Sequence, residues 1–424
     1  MKSILLALLL LPVLCFGDGT VSIFPASDDA KIISPLSAFG DLQVAELSPL
    51  FQASFEYTVD NTEITTNTVV NGGTVTQASG MAIVGTSTTT ASTARLESKQ
   101  HARYKSGLGG LDRFTALFTT PVAATEQYIG LADEPGSSAA FKNGYMIGFD
   151  GTTFGFHRFQ NDVKISINKT DWDDPLNGSG KSGIDLDETK LSVWFIAYQY
   201  LGAGAIFLFF EDPASGMPIL VHTIPYSGLF IIPSTFNPNF HHQMFVNNKA
   251  TTTDLIVKSA SYGYFVQGKT KRIELHQPLQ SSGIKQKTAI TTEVAIFTIR
   301  NKTSYQSKTN FIDIELEGLS AAIEASAANN LGSVRIIKNA TLGGTPAFTD
   351  INTANSVVEI DVAGTTVTGG VELIPFSLAG KNDAVHAEIV GHNIIINPGE
   401  SVTLAGSSAN SATIDAAMLW RELF

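Results

Sequence analysis

With 424 residues and 27 basic against 39 acidic side chains, for a formal charge of −12, the chain is long enough for two or three domains and lacks the basic surface that grips nucleic acid. Charged residues make up only 16%, against roughly 25% in an average soluble protein, and 37 glycines with abundant Ser, Thr and Asn stand in their place. Cys15 is the single cysteine, so no intrachain disulfide can form, and a chain cleaved after Gly17 would have no thiol nucleophile or Cys-based zinc site.

Lys2 precedes an apolar run over 4–14, then Cys15-Phe16-Gly17 before Asp18. That is the layout of a secretory signal cut after Gly17. A membrane anchor is the alternative, but the run falls short of the roughly 20 apolar residues needed to span a bilayer, and a lipoprotein reading of Cys15 lacks a small residue immediately before it. Residues 1–17 are therefore expected to be a leader and 18–36 an arm, on a chain that is extracellular or on a particle surface. Asn168, Asn177, Asn301 and Asn339 open sequons that are candidates for N-glycans.

From Val44 onward the apolar residues alternate in short runs between Gly, Asn, Asp, Pro and Ser turns, without a sustained helical stripe. This predicts an all-β chain. Strands are expected over 50–59, 80–87, 113–119, 126–131, 144–150, 153–158 and 163–167, with Asp150-Gly151-Thr152 as a hairpin turn. The Thr-rich segment 61–93 reads as long polar strands and an exposed loop. Residues 191–210 carry no charge and meet the length test for a membrane helix. Aromatic and β-branched residues on both sides of Gly202-Ala203-Gly204 favour instead two buried strands joined by a tight turn. The character changes over 266–282, where the tetrad Lys269-Thr270-Lys271-Arg272 sits in an expected linker or crossing strand. Beyond it, strands are expected over 293–300, 310–316, 332–338, 356–362, 371–378, 385–396, 401–405 and 412–421; only 319–329, with five alanines, invites a short helix or polar excursion. The organisation expected is two β-sandwich domains of jelly-roll or lectin-like type, over 37–267 and 268–424.

Sandwiches of this kind can host glycanases, which need two carboxylates on one concave face. Asp185-Leu186-Asp187-Glu188 lies in a polar loop, and Ile312-Asp313-Ile314-Glu315-Leu316-Glu317 sets three carboxylates on one strand face; both read better as solvated surface. No nucleophile elbow, Walker loop, dinucleotide fingerprint or His-Glu-x-x-His occurs. His241 and His242 would alternate faces of a strand and do not converge on one metal ion. Asp171, Asp173, Asp174 and Asn177 gather hard oxygens suited to calcium, although without the EF-hand spacing. For sugar binding, which needs rings beside amides and carboxylates, the candidates are Trp172, Tyr226, Phe236, Asn237, Asn239, Phe240 and His241 in expected loops. No catalytic residue and no cofactor is expected.

Several phrases carry a resemblance: Phe39-Gly40-Asp41-Leu42-Gln43-Val44-Ala45-Glu46, Arg113-Phe114-Thr115, the hairpin from Met146 to Gly155, Tyr200-Leu201-Gly202-Ala203-Gly204, Asn339-Ala340-Thr341-Leu342-Gly343-Gly344-Thr345, Thr368-Gly369-Gly370, Asn397-Pro398-Gly399-Glu400 and Trp420-Arg421-Glu422-Leu423-Phe424. With these the chain resembles virion structural proteins of tailed phages and large DNA viruses over 37–424. The matched phrases are turn and packing patterns, not catalytic signatures, and the secretory leader departs from the usual pattern. The resemblance implies a non-enzymatic tail, fibre or capsid-surface protein that attaches to a host glycan or receptor. Its partners would be other virion proteins and copies of itself, a trimer being the fibre-like arrangement, with no nucleic acid and no transmembrane span in the mature chain. The alternatives are a secreted glycan-binding or glycan-degrading sandwich and a cellular adhesion protein.

Overall fold

Alternating apolar residues along the chain become two pairs of packed sheets. The computed structural model describes residues 46–268, 277–325 and 331–424; the expected leader, the arm and the basic tetrad lie outside them. Apart from 3₁₀ turns at Lys169–Asp171 and Val390–His392, the described residues form strands and loops. The chain is all-β and builds two sandwiches, as the periodicity predicts. No helix among the described residues is long and apolar enough to cross a membrane.

In the N-terminal sandwich, a seven-stranded sheet runs in the order Val163–Asn168, Thr153–Gln160, Gly144–Asp150, Glu126–Ala132, His241–Asn247, Thr93–Ser98, Thr65–Val70, with antiparallel pairings throughout. Facing it is a nine-stranded sheet centred on Gly109–Phe118. The uncharged stretch 191–210 supplies two of its strands, Ser192–Tyr198 and Ile206–Glu211, paired as a hairpin. Between the sheets Trp194 packs edge-on to Phe210 at 4.9 Å and to Trp172 at 6.2 Å. Alternation then decides the outer face: in Thr93–Ser98, Ala94 and Leu96 enter the core while Arg95 and Glu97 point away from it.

Near the middle of the seven-stranded sheet the outer face is itself covered. Tyr128, Met146 and Phe159 pack beneath Phe141 from the loop after Glu126–Ala132. Within this sheet the pairing of Glu126–Ala132 with Gly144–Asp150 needs a residue without a Cβ: Gly148 has φ +148°, and an added Cβ would meet the Gln127 carbonyl oxygen of the neighbouring strand at 1.9 Å.

The C-terminal sandwich packs the sheet built on Asp313–Ala325 and Ala412–Leu423 against one ordered Thr349–Asp350, Val358–Asp361, Val294–Asn301, Ser401–Ser408, Leu331–Lys338, Val371–Ala379. Trp420, Leu316, Ile323, Ile336 and Leu404 fill its core. The helix or polar excursion expected over 319–329 is corrected: residues through Ala325 continue a 13-residue strand. Ala321, Ile323 and Ala325 alternate into the core, and the register with Ala412–Leu423 runs to its end, so tertiary pairing overrides the helical preference of alanine. Residues 326–329 lie outside the described residues.

Candidate functional site

The two sandwiches meet along rows of opposite charge. Beyond Thr93–Ser98 the chain presents His101, Arg103 and Lys105, and the facing strand presents Asp313, Glu315 and Glu317. Asp313 is 1% exposed, with Oδ1 at 3.2 Å from His101 Nδ1 and Oδ2 at 3.8 Å from Arg103 Nε. Burial pushes the Lys105 ammonium down to about 8, against the pull of Glu315 and Asp313. The expectation that this acidic face is solvated is therefore corrected: Asp313 and Glu315 are buried, and Glu317 is held by Arg421 at 2.8 Å. Charge paired across the seam offsets the burial of groups that alternation alone assigns to water.

Beside the seam opens a cleft of about 370 Å³. One wall belongs to the outer face of the seven-stranded sheet and its end loops, with Arg95, Glu97, Lys99, His241, Asp133 and Glu134. The other comes from the C-terminal sandwich, with Thr309, Asn310, Phe311, Asn397 and Glu400. The walls are tied at the rim: Thr309 Oγ1 donates to Glu134 Oε2 at 2.7 Å, and Lys99 Nζ stands 3.7 Å from Glu400 Oε1. Lys338 Nζ bridges Glu63 and Glu400, at 3.1 Å from each.

Inside the cleft the polar groups divide into spent and unspent. Asp133 accepts from Asn143 N at 2.7 Å, Asn143 Nδ2 at 2.8 Å and Asn237 Nδ2 at 3.3 Å, so both its oxygens are committed; burial still pushes its carboxyl up to about 6. Burial also raises the Glu97 carboxyl, opposed by Arg95, whose Nε lies 3.5 Å away, and by His101. The His241 imidazole, tilted over His101 at 4.1 Å, is held well below its ordinary value by burial and by its neighbour. Two polar atoms remain, one from each wall: Arg95 Nη1 and Asn397 Oδ1 are buried without a hydrogen-bond partner among the described residues.

At the far end of the same sheet face, Lys164 Nζ lies 2.6 Å from Asp150 and 3.7 Å from Glu126, and donates to the Tyr128 hydroxyl at 3.1 Å. Lys249 adds a second ammonium 3.0 Å from Glu126. Against the effect of burial, Lys164 holds the Asp150 carboxyl below its usual range. This carboxylate pair is engaged by two lysines.

Of the sugar-binding candidates, His241 lines the cleft. Asn237 supports it through Asp133, and Asn239 accepts from the Tyr104 backbone N–H at 2.9 Å. Trp172, Tyr226 and Phe240, expected in loops, are buried at 4%, 2% and 0% exposure, Trp172 and Phe240 in the core between the sheets and Tyr226 against Phe230 and Arg158; Phe236 is exposed. In the acidic loop, Asp174 accepts from the N–H groups of Leu176 and Ser182, Asp173 from that of Thr223, and Asn177 from that of Ser179. These oxygens shape the turn, and Asp171 is exposed beside them. Among the sequons, Asn168, Asn177 and Asn339 are exposed, whereas the Asn301 amide is buried and donates to the Ile312 and Ile396 carbonyls. That leaves no nitrogen at Asn301 for a glycan.

Sequence reasoning missed Arg95, Glu97, Glu134, Phe311, Asn397 and Glu400 as a group. Arg95 and Glu97 show only as polar alternates, and the opposite wall lies about 200 to 300 residues away.

No family model and no curated protein matches the sequence. Solved structures similar to this chain include the lectin-like defence protein arcelin-5 from Phaseolus vulgaris, at 10% identity and a TM-score of 0.34, covering 52% of this chain and 99% of that one. A Bacillus licheniformis β-glucanase is 15% identical with a TM-score of 0.32, covering 54% and 99%. The carbohydrate recognition domain of Emp46p is 12% identical with a TM-score of 0.32, covering 51% and 94%.

Proposed function

We propose that this chain is a non-catalytic glycan-binding protein of a virus surface or tail, and that the cleft between its sandwiches receives the glycan. The observation that carries the reading is the pair of unspent buried groups on opposite walls, the Arg95 Nη1 donor and the Asn397 Oδ1 acceptor. A buried polar atom without a partner costs about 1–3 kcal/mol. A sugar hydroxyl can accept from the first or donate to the second, and a glycan carries hydroxyls enough to meet both. Phe311 gives the same cleft an aromatic ring for a sugar face.

Glycan cleavage is the second reading, favoured by the raised Glu97 and Asp133 carboxyls in one cleft. It needs two carboxyl groups presented to the substrate. Both Asp133 oxygens are committed to Asn143 and Asn237, and the other carboxylates of the cleft beside Glu97 are engaged as well, Glu134 with Lys142 and Thr309 and Glu400 with Lys99 and Lys338. The viral placement rests on the resemblance of the turn phrases, and a symmetric oligomer, a trimer in a fibre-like position, goes with it.

A glycan array probed with wild type and Arg95→Ala tests the binding. The wild type is expected to select a defined set of glycans and Arg95→Ala to lose them; uniform failure of the wild type across the array would remove the reading. Release of reducing ends from a bound glycan would move cleavage to the front. For the placement, the protein is expected to copurify with particles and to start at Asp18, while recovery only as free soluble protein would contradict it.

A further inference from the structure

The loop between Pro218–Ile224 and His241–Asn247 exposes four consecutive large apolar residues, Leu229, Phe230, Ile231 and Ile232, with Ile231 at 102%. Beside it stands the turn of the 191–210 hairpin: the Ser234 N–H donates to the Gly202 carbonyl at 2.9 Å, and Leu201 is 74% exposed. The two segments form one apolar tip. Residues 213–248 contain no Asp, Glu, Lys or Arg, nor do residues 191–210.

The base of this tip is built to hold it out. The buried Tyr226 hydroxyl donates to the Ile232 carbonyl at 2.9 Å and accepts from Gln160 Nε2 at 3.1 Å. Its ring stacks on Phe230 at 4.4 Å. Arg158 lies 5.0 Å and 5.6 Å from those two rings and donates to the Ser234 carbonyl at 3.2 Å. Such a tip is ordered before it meets anything, so little conformational freedom remains to be lost on contact.

We infer that this tip inserts into the interfacial layer of a lipid bilayer, with neutral phosphatidylcholine as the surface it takes. The tip is convex and three of its four central side chains are aliphatic, which suits acyl chains; a sugar needs polar groups beside a ring, and none lies among Leu229 to Ile232. The overall charge of −12 opposes an anionic membrane. Contiguous exposed apolar residues of this kind mark a contact surface, and this one is separate from the interdomain cleft.

The test is co-sedimentation of the full protein with phosphatidylcholine vesicles. Wild type is expected to partition onto the vesicles, and Ile231→Asp and Phe230→Ser to weaken that at least tenfold while glycan binding is retained. Ile231 is fully exposed, so Ile231→Asp should leave the fold unaffected, whereas Phe230→Ser also gives up the stack on Tyr226; circular dichroism checks both. In a second measurement Ile231→Trp places an indole at the tip, whereas Trp172, Trp194 and Trp420 are buried. Its emission is expected to shift to the blue with vesicles and to be quenched by lipids brominated along the acyl chain. Absence of vesicle binding, or binding that Ile231→Asp leaves intact, overturns the inference. So does self-association that Ile231→Asp abolishes without any vesicle binding, since a second copy would then cover the tip.

Discussion

Removing the Asp313 carboxylate opens the seam between the sandwiches at its most buried point. Asp313 is 1% exposed and faces His101 at 3.2 Å and Arg103 at 3.8 Å. Asp313→Ala leaves both nitrogen-bearing side chains without their carboxylate, and breaking a buried pair from one side costs about 3–5 kcal/mol. Asp313→Asn keeps an acceptor for His101 but removes the charge, and about half that loss is expected. His101→Ala combined with Asp313→Ala should show a coupling of about 2 kcal/mol, as for residues in direct contact. Two sandwiches joined by a seam need not unfold as one unit, so the effect is read on the first transition in urea. A loss below about 0.5 kcal/mol for Asp313→Ala, with no coupling to His101, would refute the seam as the element that orients the two halves.

Asp133 carries a pH dependence. Its carboxyl moves from an ordinary 3.8 to about 6 in the folded protein, which at 1.36 kcal/mol per pH unit is about 3 kcal/mol. The folded value lies above the unfolded one, so the advantage of the protonated form is full below pH 4 and is lost as pH rises through 6. The melting temperature of wild type relative to Asp133→Asn should therefore fall across that window and level off above it; parallel profiles would contradict the assignment. Gly148→Ala should destabilise by about 2–4 kcal/mol through strain and overpacking, since its Cβ would meet the Gln127 carbonyl at 1.9 Å. Gly391→Ala, where an added Cβ has nothing within 4 Å, is the matched control, expected within about 0.5 kcal/mol of wild type by thermal melting.

The strands were legible because burial on one face writes a period of two into the sequence. The strand expected over 412–421 shows it, with Ala412, Ile414, Ala416, Met418 and Trp420 buried in alternation, and Asp150-Gly151-Thr152 declares its turn through the φ of +61° that Gly151 takes. The failures have physical causes. Ala321 to Ala325 favours helix locally, and only pairing with Ala412–Leu423 makes it strand. Asp313 and Glu315 obey the same alternation as a solvated face, and their burial depends on His101, Arg103 and Lys105, about 200 residues earlier. Trp172 and Phe240 sit among polar turn residues, yet their rings fold back into the core. The cleft was out of reach for the same reason as the seam. Each wall is locally an ordinary polar strand or turn, and the site exists only where the walls meet.

Calorimetric titration of the strongest array glycan into wild type and Arg95→Ala tests the cleft most directly. Hydrogen bonds to a charged group are worth about 1.5–3 kcal/mol, so the variant should bind roughly 10- to 100-fold more weakly, while the loss of the Arg95–Glu97 pair is read separately from the melting temperature in the absence of glycan. Equal affinity for the two proteins would place the glycan elsewhere and contradict the account.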